Sequence, residues 1–303
     1  MSVTRKEMLA RAADELRAAG VEIPERTAQW IFQHVTGFST AEVLLRPDEP
    51  VADVHTDAFL ALIARRAKRE PLQYVLNEAE FCGAIFWVDG RVLIPRPETE
   101  LLVERGRAYL AERMTSEKSI AVLDIGTGSG AIAVSLARAA RELQLHCACD
   151  VRIVASDLSQ SALDVARVNA ERLGVASMIT FVQASYADGE LLRALAPFAL
   201  ILSNPPYIPQ VNAADLQPEV AHFEPHLALF GGADGLDAYR AIVGGCADLL
   251  SAAYLVAFEV GIGQADAVTK LGGSVFARAD VEVFRDEQGI ERVVAFRASE
   301  ARR

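Results

Sequence analysis

The sequence predicts an α/β fold: a doubly wound, mostly parallel sheet preceded by a small helical domain. Three observations point there. From residue 121 onward, short apolar runs alternate with helical stretches. The first of these runs enters a glycine-rich turn that opens a helix. Residues 4 to 70, by contrast, carry only helical periodicity.

Taken in order, Met8, Ala12, Leu16 and Ala19 recur at helical spacing, and Gly20 stops that helix. Ala28 to Val35 and Ala52 to Ala67 are further helical segments, so residues 1–75 form a small bundle. Residues 76–96 read as a linking β-hairpin, because aromatic and β-branched residues flank Asp89-Gly90, a two-residue turn signal. A second domain, 97–303, opens with Pro95-Arg96-Pro97-Glu98-Thr99-Glu100 and a helix from Leu101 to Ala111. Its strands are Ala121 to Gly126, Val151 to Ser156, Ile179 to Gln183, Phe198 to Asn204 and Tyr254 to Val260. Val281 to Arg285 and Arg292 to Arg297 close the chain as a hairpin, which makes seven.

Composition fits a water-soluble, cytoplasmic protein. The 303 residues, 51% of them hydrophobic, are enough for two domains with large cores. No apolar run approaches the roughly 18 residues of a membrane span. Met1 to Glu7 carries no apolar signal core. Cys82, Cys147, Cys149 and Cys246 lack zinc spacing and are few for a disulfide framework, and His222 and His226 have no partner ligands at metal spacing; no metal is expected. A net charge of −11 opposes binding to phosphate backbones. Arg65-Arg66-Ala67-Lys68-Arg69 is a local exception and reads as a solvated helix face.

Two constellations carry chemistry. In Gly126-Thr127-Gly128-Ser129-Gly130 the glycines let a ligand approach the backbone closely. Asp157, at the tip of the next strand, can accept both hydroxyls of a ribose or cap the following helix, a role for which Ser159 competes. Asp124 can orient the glycine loop or meet a ligand's ammonium group. The second constellation is Asn204-Pro205-Pro206-Tyr207, at the carboxyl end of a strand, where open α/β sheets place ligands. Prolines stiffen that turn and lack N–H groups, so their carbonyls remain as acceptors. Asn204 adds a side-chain carbonyl and Tyr207 an aromatic face. Two acceptors and a ring suit a planar –NH2 group.

Together Asp124-Ile-Gly-Thr-Gly-Ser-Gly130, the strand-end Asp157 and Asn204-Pro-Pro-Tyr207 resemble the class I S-adenosylmethionine-dependent methyltransferases. The resemblance implies a Rossmann-like seven-stranded sheet with one antiparallel strand. It also implies that the glycine loop passes the methionine moiety, that Asp157 holds the ribose, and that Ser185 and Tyr186 lie beside the adenine. Ser185 stands where the family usually has an acidic residue. Pro71-Leu-Gln-Tyr74, Val92 to Glu100, Asn204 to Ile208 and Gly231 to Tyr239 narrow the likeness to HemK-type protein N5-glutamine methyltransferases, over nearly the whole chain. Asn77 and Cys82 depart from that pattern, where a glycine and an aromatic are usual.

What the HemK likeness implies is methyl transfer from S-adenosylmethionine to the glutamine of the Gly-Gly-Gln motif in class I peptide release factors. Catalysis falls to Asn204, Pro205 and Tyr207; the substrate is held by these with Pro206, Arg96 and Glu98. The helical domain would dock the protein substrate. Three alternatives stay open: a ribosomal-protein glutamine, an exocyclic adenine amine in nucleic acid, and a cofactor-holding module without turnover. Acidic charge and the absence of a target-recognition domain weigh against nucleic acid.

Overall fold

The computed structural model describes residues 3–186 and 189–299. In chain order the helices are α1 (Arg5–Ala18), α2 (Pro24–Thr36), α3 (Thr40–Leu45), α4 (Asp53–Ala67), α5 (Leu72–Leu76), α6 (Thr99–Arg113), α7 (Ala131–Leu143), α8 (Gln160–Arg172), α9 (Gly189–Arg193), α10 (Pro218–Phe223), α11 (Asp237–Cys246) and α12 (Ala265–Val275). The strands are β1 (Ala79–Phe81), β2 (Ala84–Phe86), β3 (Ser119–Ile125), β4 (Asp150–Asp157), β5 (Ile179–Gln183), β6 (Phe198–Ser203), β7 (Leu250–Glu259), β8 (Asp280–Arg285) and β9 (Glu291–Ala298).

The chain divides into two compact units: residues up to Glu78 together with Leu216–Phe223, and Ala79–Asp215 together with residues from Glu224 on. In the smaller unit, α1 and α3 start at reciprocal caps, Thr4 with Glu7 and Ser39 with Glu42. Met8, Leu16, Ile31, Phe32, Phe59 and Ile63 form its core, with Phe32 and Phe59 edge to face at 5.6 Å. The Arg65–Arg69 run is not the solvated face that its charge predicts. Arg66 is buried, and Arg66 and Arg69 both grip Glu219 of α10, at 2.9 and 2.7 Å. Their partner lies 153 and 150 residues away in sequence, so local charge counting misses it.

In the larger unit the seven strands run in the order β5-β4-β3-β6-β7-β9-β8, and β9 alone is antiparallel to its neighbours. This is the predicted seven-stranded sheet. Its inner strands are apolar along their length because helices cover both faces. One core gathers side chains of α6, α7 and the sheet (Leu102, Leu110, Val122, Leu136, Leu200); the other gathers α11, α12 and the opposite face (Leu123, Ile201, Ile242, Phe258, Val268). The edge strand β8 leaves Val281 and Val283 exposed among Asp280, Glu282 and Arg285, charges that oppose pairing with another sheet.

The predicted hairpin exists, within the larger unit, but its turn is not Asp89-Gly90. β1 and β2 pair through Phe81↔Ala84, so the turn is Cys82-Gly83, with φ of 47° and 65°. A two-residue hairpin turn of this hand needs positive φ at both positions. Asp89 instead folds back on its own loop, its carboxylate accepting from the Arg91 backbone N–H at 3.0 Å. No helix among the described residues is long and apolar enough to cross a membrane.

Candidate active site

Sequence order runs outward from β3 through β4 and β5 on one side, and from β6 through β7 on the other, so β3 and β6 flank the switch point of the sheet. Open α/β sheets bind ligands in the crevice at that point. Register sharpens the picture. Ile125 pairs with Ser156 on one neighbour and Ser203 on the other. The next residue of each strand is therefore Gly126, Asp157 and Asn204, three predicted site residues in one row. Both serines bond to β3: Ser156 Oγ donates to the Asp124 carbonyl at 3.2 Å and Ser203 Oγ to the Ile125 carbonyl at 2.7 Å.

The glycine loop is organised from below by Asp124. This carboxyl is fully buried; its Oδ2 accepts from Thr127 Oγ1 at 2.6 Å and from the Ala133 N–H at 3.1 Å. Burial pushes it up to about 7, against the pull of those two bonds. Of the two roles open to Asp124, the structure displays loop orientation. Asn169 of α8 braces the same loop from the side, donating from Nδ2 to the Ser129 and Trp87 carbonyls, both at 2.9 Å.

Asp157 is partly exposed, and Ser159, not Asp157, caps α8 through the Ala162 N–H. The carboxylate accepts from the Gly128 N–H at 2.8 Å and the Ser159 N–H at 2.9 Å. Burial raises its pKa, partly offset by these backbone bonds.

Gly126, Gly128, Asp157, Tyr186, Asn204 and Pro206 line one cleft. Asp124, Thr127 and Ser129 are buried beneath the loop, and Gly130 caps α7. Ser185 is partly buried at the exit of β5, and Pro205 is buried beside Asn204. The structure does not bring Arg96 and Glu98 into that cleft. Arg96 pairs with the buried Glu224 at 2.6 Å, and Glu98 lies 3.6 Å from Arg292 along a separate groove with Glu100 and Glu104.

Asn204 is anchored by its amide nitrogen, which donates to Thr99 Oγ1 at 3.1 Å. Its Oδ1 is thereby turned away from Thr99. The chain beyond it is held by Gln264, whose Nε2 donates to the Tyr207 carbonyl at 3.0 Å. Gly235, at φ +77°, packs on the same carbonyl, and a Cβ there would run into it. Gly231 to Tyr239 thus supports the motif rather than facing the cleft. Burial pushes the Tyr207 phenol up to about 12, Glu259 adding to the effect, so Tyr207 offers a neutral ring and not a base.

Thr99, Asn169, Glu224, Glu259 and Gln264 were not predicted as site residues. Glu259 had a signal: a lone carboxylate ending an otherwise apolar strand. Each of the others has a partner 57 to 130 residues away, which no local pattern displays.

A sheet of this order, with a glycine loop and Asn-Pro-Pro-Tyr facing each other across its switch point, is that of a class I methyltransferase. Residues 7–76 match the PrmC N-terminal domain family and residues 100–221 the methyltransferase small domain family. The chain is 40% identical to the release factor glutamine methyltransferase of Chlorobaculum tepidum, over 90% of each chain. It is 38% identical to that of Moorella thermoacetica, over 98% of this chain and 100% of the other. Among solved structures it resembles the hMettl16 catalytic domain in complex with a MAT2A 3′UTR hairpin, at 13% identity, with a TM-score of 0.53 and 89% of each chain covered; this is a likeness of fold alone. The chain belongs to the release factor glutamine methyltransferase family.

Proposed function

We propose that this enzyme transfers a methyl group from S-adenosylmethionine to the side-chain amide nitrogen of the Gly-Gly-Gln glutamine of class I peptide release factors. The observation that carries this reading is the anchored amide of Asn204: with Nδ2 committed to Thr99, Oδ1 remains as an acceptor at the switch point. An –NH2 group needs two acceptors, and the Pro205 carbonyl is the second.

The cleft suits the cofactor. Gly128 lines it at φ +53°, and a Cβ there would meet open space, so a ligand can lie against the backbone. Asp157 would take the ribose hydroxyls, and Tyr186 would cover the adenine face. When bound, S-adenosylmethionine supplies a methyl carbon on a positively charged sulfur, open to direct displacement.

A glutamine amide nitrogen is a weak nucleophile because its lone pair is delocalised, and its N–H is too weak an acid for a side-chain base to help. Asn204 Oδ1 and the Pro205 carbonyl would each accept one N–H and fix the nitrogen with its face toward the methyl. Such positioning is worth roughly 7–11 kcal/mol. Both acceptors also stabilise the positive charge that develops on nitrogen. The cationic product then releases its proton to water. Tyr207 would pack on the amide plane.

A protein substrate also accounts for the helical unit, which would dock the release factor, while the net charge of −11 disfavours a nucleic-acid substrate. Work on a translation factor would put the enzyme in the cytoplasm. The test is transfer of tritium from labelled cofactor to purified release factor, ribosomal protein or duplex DNA. Label in the release factor, lost when its glutamine is replaced, is the expected result; label in ribosomal protein or DNA alone would overturn the proposal.

A further inference from the structure

β2 ends at Phe86, and the strand pairing of the hairpin ends with it. The next residue, Trp87, still has a backbone N–H and a carbonyl that need partners. Asn169 of α8 serves both. Its Oδ1 accepts from the Trp87 N–H at 2.7 Å, and its Nδ2 donates to the Trp87 carbonyl at 2.9 Å. The side-chain amide thus takes the place of a neighbouring strand. Nδ2 also donates to the Ser129 carbonyl of the glycine loop, again at 2.9 Å. A primary amide has two N–H donors, and both are used. Reversing the amide would set its oxygen against two carbonyls, so this fully buried side chain has one orientation.

The helix that carries Asn169 lies close against the glycine loop. Gly130 has no side chain where they meet, and a Cβ there would stand 3.1 Å from the Cβ of Ala166, one turn earlier on α8. From Trp87 to Ile94 the chain has no regular secondary structure, so its course depends on individual bonds. At the far end Val88, Val92 and Ile94 are buried, and the Ile94 N–H donates to Glu224 Oε2 at 3.4 Å. Between these holds, Arg91, Val92 and Leu93 line the same cleft as Gly126, Gly128 and Asp157. One side chain therefore ties together two walls of the cleft: the glycine loop and residues 87–94.

We infer that Asn169 is a positioning residue for the cofactor: it sets the spacing between the glycine loop and the 87–94 wall, so that S-adenosylmethionine enters a cleft already formed. It acts through the two backbones it joins. Without it, the bound molecule must itself order the 87–94 wall, and binding weakens accordingly. The inference rests on the cofactor reading above.

The experiment measures S-adenosylmethionine affinity of the full chain by calorimetry, well below the melting temperature, together with hydrogen exchange of residues 87–94. Asn169→Leu keeps the volume and removes all three bonds. Asn169→Asp keeps the size and the bond from the Trp87 N–H but loses both donors. Each should weaken cofactor binding roughly tenfold, since ordering one or two freed side chains on binding costs that much. Asn169→Leu should also speed exchange at Trp87 in the absence of cofactor. Val268→Ala, in the core beneath α12, destabilises the same unit away from the cleft and should leave affinity within about twofold. Near-wild-type affinity in a folded Asn169 variant, unchanged exchange at Trp87 in Asn169→Leu, or an equal loss of affinity in Val268→Ala would overturn the inference. Should neither Asn169 variant fold, exchange in the wild type decides: added S-adenosylmethionine should slow it at residues 91–93, and unchanged exchange there would overturn the inference. A wild-type chain that binds no S-adenosylmethionine would instead overturn the cofactor reading, a separate result.

Discussion

The backbone N–H of Gly128 donates to Asp157 Oδ2 across 2.8 Å, which ties the glycine loop of one strand to the carboxylate of the next. The residue assigned to the ribose therefore also shapes the loop beside it. Asp157→Ala should lose both roles. Hydrogen bonds to a charged group are worth roughly 1.5–3 kcal/mol, so S-adenosylmethionine affinity should fall at least about tenfold. Unchanged affinity by calorimetry in a folded variant would remove Asp157 from the site.

Asn204→Ala deletes the side-chain acceptor while leaving the Pro205 carbonyl. The chemical step should slow by more than about a hundredfold, with cofactor affinity much less affected. Rapid-quench measurement of a single turnover separates the two. Retention of the normal rate would mean that Asn204 does not orient the substrate.

Glu259 and Asp124 make the fold sensitive to pH. Burial pushes each up to about 7, from ordinary values of 4.5 and 3.8. Between those limits the folded chain binds more protons than the unfolded chain, so stability falls as pH rises from about 4 to about 7. Glu259→Met removes one of the two contributions. Its Tm should drop less than that of the wild type between pH 5 and pH 8, by roughly 3–8 °C. Parallel Tm profiles for the two proteins would contradict the buried, proton-retaining state of Glu259.

Glu219 has the opposite sign. Burial works against its charge, but the bonds from Arg69 and Arg66 outweigh that and hold it at about 2. Its contribution to stability is complete above its unfolded value of 4.5 and is lost as pH falls toward 2. Glu219→Gln leaves the buried Arg66 short of a counter-charge and should destabilise the helical unit by about 2–3 kcal/mol near neutral pH. Limited proteolysis of residues 1–78 is the measurement; unchanged resistance would show that the pair contributes nothing.

Docking through the helical unit predicts a strong preference for the intact release factor over a short Gly-Gly-Gln peptide. Binding energy from remote contacts is what positions a weakly nucleophilic amide. Comparing kcat/KM for the two substrates checks this, and equal values would eliminate the docking role.

Much of the fold was legible because the inner sheet strands are short, largely apolar runs with a turn signal at their ends. The site was legible where its residues follow those strands directly, as Gly126, Asp157 and Asn204 do. What escaped was everything that depends on a distant partner. Nothing near Thr99 marks it as the anchor of a residue 105 positions later. The resemblance puts Arg96 near the active site, and its pairing with Glu224, 128 positions on, has no local signal. The hairpin turn was misplaced because Asp89-Gly90 is a strong local signal, whereas Cys82 takes positive φ without one.

The return of α10 to the helical unit sets a timetable for synthesis. Arg66 and Arg69 leave the ribosome some 150 residues before Glu219, the carboxylate that neutralises them. At 5–20 residues per second, that is a wait of roughly 8–30 s. In that interval the helices at the chain's beginning hold two guanidinium groups without the Glu219 carboxylate and lack their final helix. The nascent amino-terminal unit is completed only after Asn204-Pro-Pro-Tyr207 has been made, so a chain broken off before residue 216 lacks part of both units: the carboxyl-terminal strands of one and the closing helix of the other.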